Sequence, residues 1–138
     1  MNPDVAQRVQ QSFGRCLLNT NFGKGFLDAF YDEFLASDPR IKPHFSKTDM
    51  QKQKDLLRHG LSMVIMFGSG SGVAKNAVEQ LAVKHDRRHM NIAPGLYRYW
   101  LKSLLACVKK YDGNYDATLG GQWSEVLDLG VSVMTKAY

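Results

Sequence analysis

The feature that most constrains this chain is an apolar helical stripe that ends in a histidine. Residues at positions i, i+3, i+4 and i+7 share one helix face, and here they are Val78, Leu81, Ala82 and His85. The imidazole at the end of this face is either a core histidine bonded to its neighbours or a metal ligand. The stripe alone favours neither, so the choice depends on the rest of the chain.

Helical periodicity dominates the remaining sequence, and no stretch alternates apolar and polar residues over the length of a strand. The chain is therefore predicted to be all-α. The predicted helices lie near residues 2–19, 20–38, 48–67, 95–111 and 116–136, and around His85 between a turn at 68–72 and a corner at 91–94. Thr20-Asn21 is predicted to cap the second helix, and Thr48 with Gln51 to form a capping box at the third.

Size and composition fit one domain spanning residues 1–138, because the sequence contains no repeat and no linker. The net charge of +5 comes from scattered lysines and arginines, which favours a solvated surface over a nucleic-acid partner. No apolar run reaches membrane-spanning length. The polar N-terminus and two isolated cysteines, Cys16 and Cys107, predict a cytoplasmic protein in which both thiols are reduced and buried.

Four short stretches are the basis of a family resemblance: AFYDEFL at 29–35, DPRIKPHF at 38–45, QKDLL at 53–57 and AVKH at 82–85. Each stretch is weak evidence alone, but their order and spacing are specific. Together they resemble the bacterial single-domain globins, whose relatives include the globin domains of flavohaemoglobins, over nearly the whole chain. The resemblance implies a globin fold, in which helices pack around a pocket for haem.

The resemblance implies that His85 is the axial ligand to the iron of haem b, iron protoporphyrin IX. The sequence lacks the Cys-x-x-Cys-His pattern that attaches haem covalently. In a helix, the other ring nitrogen of His85 can donate to the carbonyl of Leu81, four residues earlier, which would fix the ring and raise its basicity. Phe45, in the Pro-broken corner, is expected to pack flat on the porphyrin.

The opposite side of the haem slot is predicted to carry a polar pair. Tyr31 interrupts an apolar helix face, and a buried phenol needs a hydrogen-bond partner. Gln53 points toward the same interior, with Leu57 one turn later, and the pair resembles the tyrosine and glutamine that stabilise bound oxygen in flavohaemoglobins. The register of this helix stays open, since a slip of one residue would present Lys52 and Leu56 instead.

The resemblance also makes predictions on the His85 side of the slot. Tyr97 is similar to the flavohaemoglobin tyrosine that supports the histidine together with a glutamate near the C-terminus. The stretch VMTKAY at 133–138 contains no carboxylate, so peroxidase-like activation is expected to be weaker here. Arg87, Arg88 and His89 follow the histidine where haem propionates emerge, and they either pair with a propionate or form an ordinary solvated cluster.

These residues and the resemblance together imply a haem protein that binds the diatomic gases O2, NO and CO. Its use stays open among oxygen binding or transport, gas sensing and removal of nitric oxide. No catalytic residue is assigned, and nitric oxide dioxygenation would need a separate reductase because the chain shows no flavin or nicotinamide domain. We expect no nucleic-acid or membrane partner, and a monomer or weak homodimer.

The competing hypothesis is a haem-free helical module that acts in protein–protein signalling through its basic surface. Against it stands the polar set of Tyr31, Gln53 and His85, which points into one apolar interior. Three unpaired polar groups around an empty core would cost roughly 1–3 kcal/mol each. The haem protein is therefore the preferred hypothesis.

Overall fold

Six α-helices form most of the chain in the computed structural model, which describes residues 3–138. They are α1 Pro3–Leu18, α2 Phe26–Ser37, α3 Met50–Gly68, α4 Gly72–His85, α5 Tyr97–Tyr111 and α6 Ala117–Ala137. Short 3₁₀ turns at Lys42–Phe45 and Pro94–Leu96 precede α3 and α5. The predicted all-α class is confirmed, although the predicted start of the first helix at Asn2 lies outside the described residues.

Each helix turns an apolar stripe toward a shared core. On α1 this stripe comprises the buried Val9, Phe13 and Cys16. The ring of Phe13 meets the fully buried Trp123 of α6 edge-on, with 6.2 Å between the ring centroids. Because burying one large apolar side chain contributes about 1.5–3 kcal/mol, contacts of this kind hold α1 against α6.

Helix α6 supports the two helices that carry Gln53 and His85. It packs across both α3 and α4, which lie side by side. A Cβ at Gly130 of α6 would lie 2.9 Å from Cγ1 of Val64 in α3, closer than side-chain carbons approach. Glycine at this position therefore sets how closely α6 approaches α3. No helix within residues 3–138 is long and apolar enough to cross a membrane.

The segment between α1 and α2 differs from the prediction. Thr20-Asn21 does not cap a helix: it forms strand β1, which pairs antiparallel with β2, Lys24–Gly25. Phe22 and Gly23, at the turn, have φ angles of 53° and 78°, so the chain reverses sharply here. The helix begins at Phe26, five residues after Asn21, where the buried apolar pattern starts.

The start of α3 also differs from the prediction. The helix is capped by Asp49, whose carboxylate accepts hydrogen bonds from the backbone N–H groups of Gln51 and Lys52 at 3.1 and 3.3 Å. Thr48 instead closes the preceding turn, with its N–H bonded to the carbonyl of Phe45. The predicted capping box is therefore wrong by one residue. A carboxylate at the cap also complements the positive end of the helix dipole.

A buried polar cluster joins α1 to α6 and to the segment between α5 and α6. Asp112, which is 2% exposed, accepts hydrogen bonds from the Ser12 hydroxyl at 2.5 Å and from two nitrogens of Arg15 at 2.7 and 3.0 Å. The indole N–H of Trp123 donates to the Ser12 oxygen at 2.9 Å, and the N–H of Asn114 donates to Asp112. We call these five residues the Asp112 cluster.

Cys16 and Cys107 are free and buried, as predicted. Burial raises the pKa of Cys16 to about 12 and that of Cys107 to about 11, so both remain neutral thiols at physiological pH. Because the thiolate is the reactive form, neither side chain is poised for redox or nucleophilic chemistry. They fill space in the core as small apolar groups.

Candidate functional site

His85 is the last residue of α4, and its ring is held by the backbone of its own helix. Nδ1 lies 2.7 Å from the carbonyl oxygen of Leu81, the acceptor that the helical spacing predicts. Since only a protonated nitrogen can donate to a carbonyl, Nδ1 carries the proton and Nε2 keeps a lone pair. Within residues 3–138, no other group bonds to the imidazole.

The surroundings of His85 keep this ring neutral. Burial lowers its pKa from the ordinary value, the bond to the Leu81 carbonyl opposes the shift, and the charge of Lys84 adds to it, with a net lowering. A neutral imidazole with a free Nε2 is the form that binds iron, because the proton and the metal compete for the same nitrogen.

The corner after His85 folds back onto the histidine. The N–H of Ile92 donates to the His85 carbonyl at 3.0 Å, and the side chain of Ile92 packs against the core. Asn91 has a φ of 51°, and the Tyr138 hydroxyl donates to its side-chain oxygen at 2.6 Å. Sequence reasoning missed Ile92, although it stands with Met90 as one of few apolar residues in a polar corner. Its contacts fix the path of the chain away from the imidazole.

A second polar pair lies on α2 and α3. Nε2 of Gln53 donates to the hydroxyl oxygen of Tyr31 at 3.2 Å, and Tyr31 is 4% exposed. Burial raises the pKa of Tyr31 to about 12, even though the bond from Gln53 lowers it. The phenol therefore stays protonated, and its own O–H proton has no acceptor within residues 3–138.

The register of α3 presents Gln53 inward. Gln53 and Leu57 are half-buried, and Leu57 packs against the core. Lys52 is exposed, as is Leu56, which leaves 57% of its surface in solvent. Gln53 therefore faces Tyr31 in this helix, whereas Lys52 and Leu56 face solvent, and the role of Gln53 toward a ligand of the iron stays a prediction.

Helices α3 and α4 approach each other beside these groups. A Cβ placed on Gly60 would lie 3.7 Å from Cδ1 of Leu81, which is an ordinary contact distance. Gly60 follows Gln53 by about two turns of α3, and Leu81 precedes His85 by about one turn of α4. The helices that carry Gln53 and His85 therefore lie directly against each other.

Phe45 ends the 3₁₀ turn before α3 and joins the aromatic wall of this region. Its ring meets Tyr31 edge-on at 5.9 Å and Phe34 edge-on at 6.1 Å between centroids. The residue is half-buried, so part of the ring is open to a flat apolar ligand. The structure thus brings Phe45 next to the Tyr31–Gln53 pair, as expected for residues that share one pocket.

Three other predicted site residues lie away from hydrogen-bonding contact with His85. Tyr97 is buried, which raises its pKa to about 12, but it makes no hydrogen bond to the imidazole. Arg88 is exposed, and His89 is bonded to Asp86 through Nδ1 at 2.8 Å. The support of His85 by Tyr97 stays a prediction. The propionate contacts of Arg88 and His89 stay a prediction.

The energetic argument against an empty core also needs correction. Gln53 bonds to Tyr31, and His85 bonds to Leu81, so each of the three side chains has a hydrogen-bond partner. Among the described residues, no buried side-chain nitrogen or oxygen lacks a hydrogen-bond partner. What distinguishes the site is that the imidazole keeps one lone pair on Nε2 and the phenol keeps one proton, both without a partner among residues 3–138.

These residues fit a haem. Haem requires a neutral imidazole with a free nitrogen and an apolar lining along its flat faces. His85 supplies the imidazole, and the core-packed Phe45, Leu57 and Ile92 supply apolar surface. A hydrogen-bond donor on the opposite side, such as Tyr31, would act on a ligand of the iron. Within residues 3–138, no three His, Cys, Asp or Glu side chains cluster as a metal-binding set.

Comparisons with known proteins agree with this arrangement. The family model described as Globin matches residues 28–134. A crystal structure of a protein from Pseudomonas aeruginosa PAO1, described as structurally highly homologous to a human haemoglobin, is 40% identical with a TM-score of 0.90. The match covers 97% of this chain and 98% of the Pseudomonas chain. No curated protein matches the chain.

Proposed function

Because the chain belongs to the globin family, we propose that it binds one haem b through His85 and uses it to bind diatomic gases. The gases are O2, NO and CO, and they would occupy the side of the haem that faces Tyr31 and Gln53. Membership of the globin family supports a haem protein, and the side chains of Tyr31, Gln53 and His85 support the gas-binding site. Similarity to a haemoglobin-like bacterial protein favours oxygen as one ligand.

The chain's residues divide the work between the two sides of the haem. A bound haem would supply the iron to which a gas binds. His85 would hold that iron through Nε2, and the bond from Nδ1 to the Leu81 carbonyl orients the ring and would make Nε2 a stronger donor to the metal. Phe45 and Leu57 line the slot with apolar surface, which keeps water away and slows oxidation of the iron.

The observation that carries the proposal is the direction of the bond between Gln53 and Tyr31. Because the Gln53 amide donates to the phenol oxygen, the phenol's proton remains free to be donated to a gas in the pocket. The amide also polarises the phenol in the direction that strengthens such a donation. A pocket that offers one good donor favours O2, which gains partial negative charge when bound, over the less polar CO.

Removal of nitric oxide is the second candidate, and the same pocket favours it. NO and O2 combine with one electron to give nitrate, so each turnover needs one electron from outside the site. A separate reductase would supply that electron. The Tyr31 hydroxyl would donate a hydrogen bond to oxygen in the pocket, so the Tyr31–Gln53 pair is consistent with this activity as well as with oxygen binding.

Absorption spectra test the proposal directly. The purified protein, loaded with haemin and then reduced, should show the spectrum of a histidine-ligated ferrous haem and should change on addition of O2 and of CO. NO consumption in the presence of an added reductase then separates dioxygenation from simple oxygen binding. Failure to retain stoichiometric haem would contradict the proposal and would favour the haem-free signalling module instead.

A further inference from the structure

Two surface cavities are lined in part by Tyr31 and Phe45. The first, of about 440 Å³, has charged residues at its rim and Tyr31 in its lining. The second, of about 810 Å³, is mostly apolar and includes Phe45. We call them the charged cavity and the apolar cavity. Leu35 and Met50 line both of them, so these two side chains form the partition between the cavities.

Two rings that line these cavities also belong to the proposed gas site. Tyr31 lines the charged cavity although it is 4% exposed, and Phe45 lines the apolar cavity. Their rings meet edge-on at 5.9 Å between centroids. Leu35 follows Tyr31 by about one helical turn, Met50 precedes Gln53 by nearly one turn, and both pack against the core. We call Leu35, Met50, Tyr31 and Phe45 the wall.

From this arrangement we propose that gas reaches the pocket through the wall at Leu35 and Met50, which rests on the proposed function. The gas is a small, uncharged diatomic molecule, so its transfer through an apolar passage costs little free energy. Met50 is half-buried, and the unbranched methionine side chain changes rotamer readily. Leu35 is also half-buried. Small rotations of these side chains open the passage without moving the backbone.

Ion pairs at the rim of the charged cavity hold the surrounding elements in place while the side chains of Leu35 and Met50 rotate. Lys54 of α3 pairs with Asp28 of α2 at 2.6 Å, and Lys24 of β2 pairs with Asp32 of α2. The first pair ties α3 to α2 on the side where Gln53 meets Tyr31. Because both pairs are at the surface, they position the elements more than they stabilise them.

The competing route passes Gln53 itself. Swinging this amide outward breaks its hydrogen bond to Tyr31, whereas displacing Leu35 or Met50 breaks none. A passage through the apolar wall therefore leaves the donor pair intact while gas enters. The difference between the two routes is testable, because a blocked passage slows entry and exit together and leaves the affinity unchanged.

The primary test is Met50→Trp, with the CO association rate measured by flash photolysis of the haem-loaded protein. We expect association and dissociation to slow by the same factor, about fivefold or more, because the bulky indole must leave its preferred rotamer to let gas pass. The matched control is Leu56→Trp, which places the same indole on the exposed face of the same helix. That control should leave both rates at wild-type values.

Met50→Ala provides the opposite variant and should raise both rates. It also covers the case in which the tryptophan variant does not fold. Unchanged rates in both Met50 variants, with faster association in Gln53→Ala, would overturn the proposal in favour of entry past the amide. If the wild-type protein retains no haem, the proposed function fails instead, and the two failures are thereby distinguished.

A readout independent of haem uses methyl-labelled methionine and xenon, an apolar atom that probes gas-accessible sites. Under xenon pressure, the Met50 methyl resonance should shift more than that of Met90, which is 50% exposed and far from the wall in sequence. Leu35→Trp should reduce the Met50 shift. Equal shifts at the two methionines would show that gas does not enter the wall at Met50.

Discussion

The chain contains two groups of buried polar side chains, and they differ in what they leave unpaired. In the Asp112 cluster, the carboxylate receives bonds from Ser12, Arg15 and the Asn114 N–H, and the Trp123 indole completes the set. The second group comprises Tyr31, Gln53 and His85, in which Nε2 of His85 and the hydroxyl proton of Tyr31 have no partner among residues 3–138. The first pattern is that of a structural tie, and the second is the one that the proposed function requires.

The two groups also differ in charge. Burial raises the pKa of the Asp112 carboxyl, but the bonds from Arg15, Ser12 and the Asn114 N–H outweigh it, and the net pKa is lowered. Asp112 is therefore an anion matched by a cation. Tyr31 and His85 are neutral at physiological pH. An apolar pocket tolerates neutral donors and lone pairs, whereas a buried anion needs its own partners within the protein.

The largest expected effect comes from removing the imidazole of His85, whose Nε2 lone pair has no partner among residues 3–138. His85→Ala should abolish or greatly weaken haem retention, because the iron loses its only protein ligand in the proposed site. The measurement is the haem absorption spectrum after gel filtration of the loaded protein. His59→Ala is the matched control, since His59 is an exposed histidine of α3 with no predicted role at the haem. Full haem occupancy with an unchanged ferrous spectrum in the His85 variant would show that another residue binds the iron.

The second-largest expected effect is on stability and comes from the Asp112 cluster. Asp112→Asn should lower the free energy of unfolding by about 2–3 kcal/mol, at the low end for a broken buried pair because Arg15 is 36% exposed. Urea unfolding of the haem-free protein measures it, with the exposed Asp128→Asn as control. The haem spectrum and gas rates should stay at wild-type values. A change in the gas rates would mean that the two groups are coupled.

The same carboxylate predicts a dependence of stability on pH. A group whose pKa is lowered by folding stabilises the native state above its unfolded pKa of about 3.9, and loses that contribution as pH falls through the folded value. Stability should therefore fall as the pH drops below about 4. In Asp112→Asn this acid loss should be smaller, as measured by urea midpoints across the pH range. An identical acid profile in the two proteins would assign the loss to other carboxylates.

Tyr31→Phe removes the hydroxyl proton that has no partner among residues 3–138, and so tests whether Tyr31 donates to a gas in the proposed site. A hydrogen bond to a partly charged acceptor contributes roughly 1.5–3 kcal/mol, or about ten- to a hundredfold in an equilibrium constant. Oxygen dissociation should therefore speed up by about that factor, while CO dissociation changes little. Stopped-flow ligand replacement measures both rates. Equal effects on the two gases would mean that the pocket takes its polarity from another residue.

The predictable parts of this chain are those that depend on neighbours in sequence. The stripe ending in His85 and the bond to Leu81 both follow from helical spacing, and the structure contains them. The all-α class follows from the same periodicity. Local signals failed where two polar residues compete for one role: Asp49, one residue after Thr48, caps α3 because its carboxylate reaches two N–H groups.

Contacts between distant segments could not be predicted. Ser12 and Asp112 are separated by 100 positions, and nothing near either residue indicates the other. The hairpin at 20–25 was missed because its strands are two residues long, too short for an alternating pattern. Met50 and Leu35 were missed as wall residues because their importance comes from cavities that form only when α2 and α3 pack together.

The smallest expected effect distinguishes Gln53 from its neighbour on α3. Gln53 donates to the Tyr31 oxygen, so it acts on a gas mainly by orienting and polarising the phenol, and one neutral hydrogen bond contributes about 0.5–1.5 kcal/mol. Gln53→Leu should therefore speed oxygen dissociation by about two- to twelvefold, less than Tyr31→Phe. Lys52→Leu, on the exposed side of the same turn, should have no effect.

In the double variant Gln53→Leu, Tyr31→Phe, the glutamine substitution should add little, because its effect passes through the lost hydroxyl. Additive effects would mean that the amide contacts the gas directly, and that the polar pair supplies two ligand-facing groups rather than one.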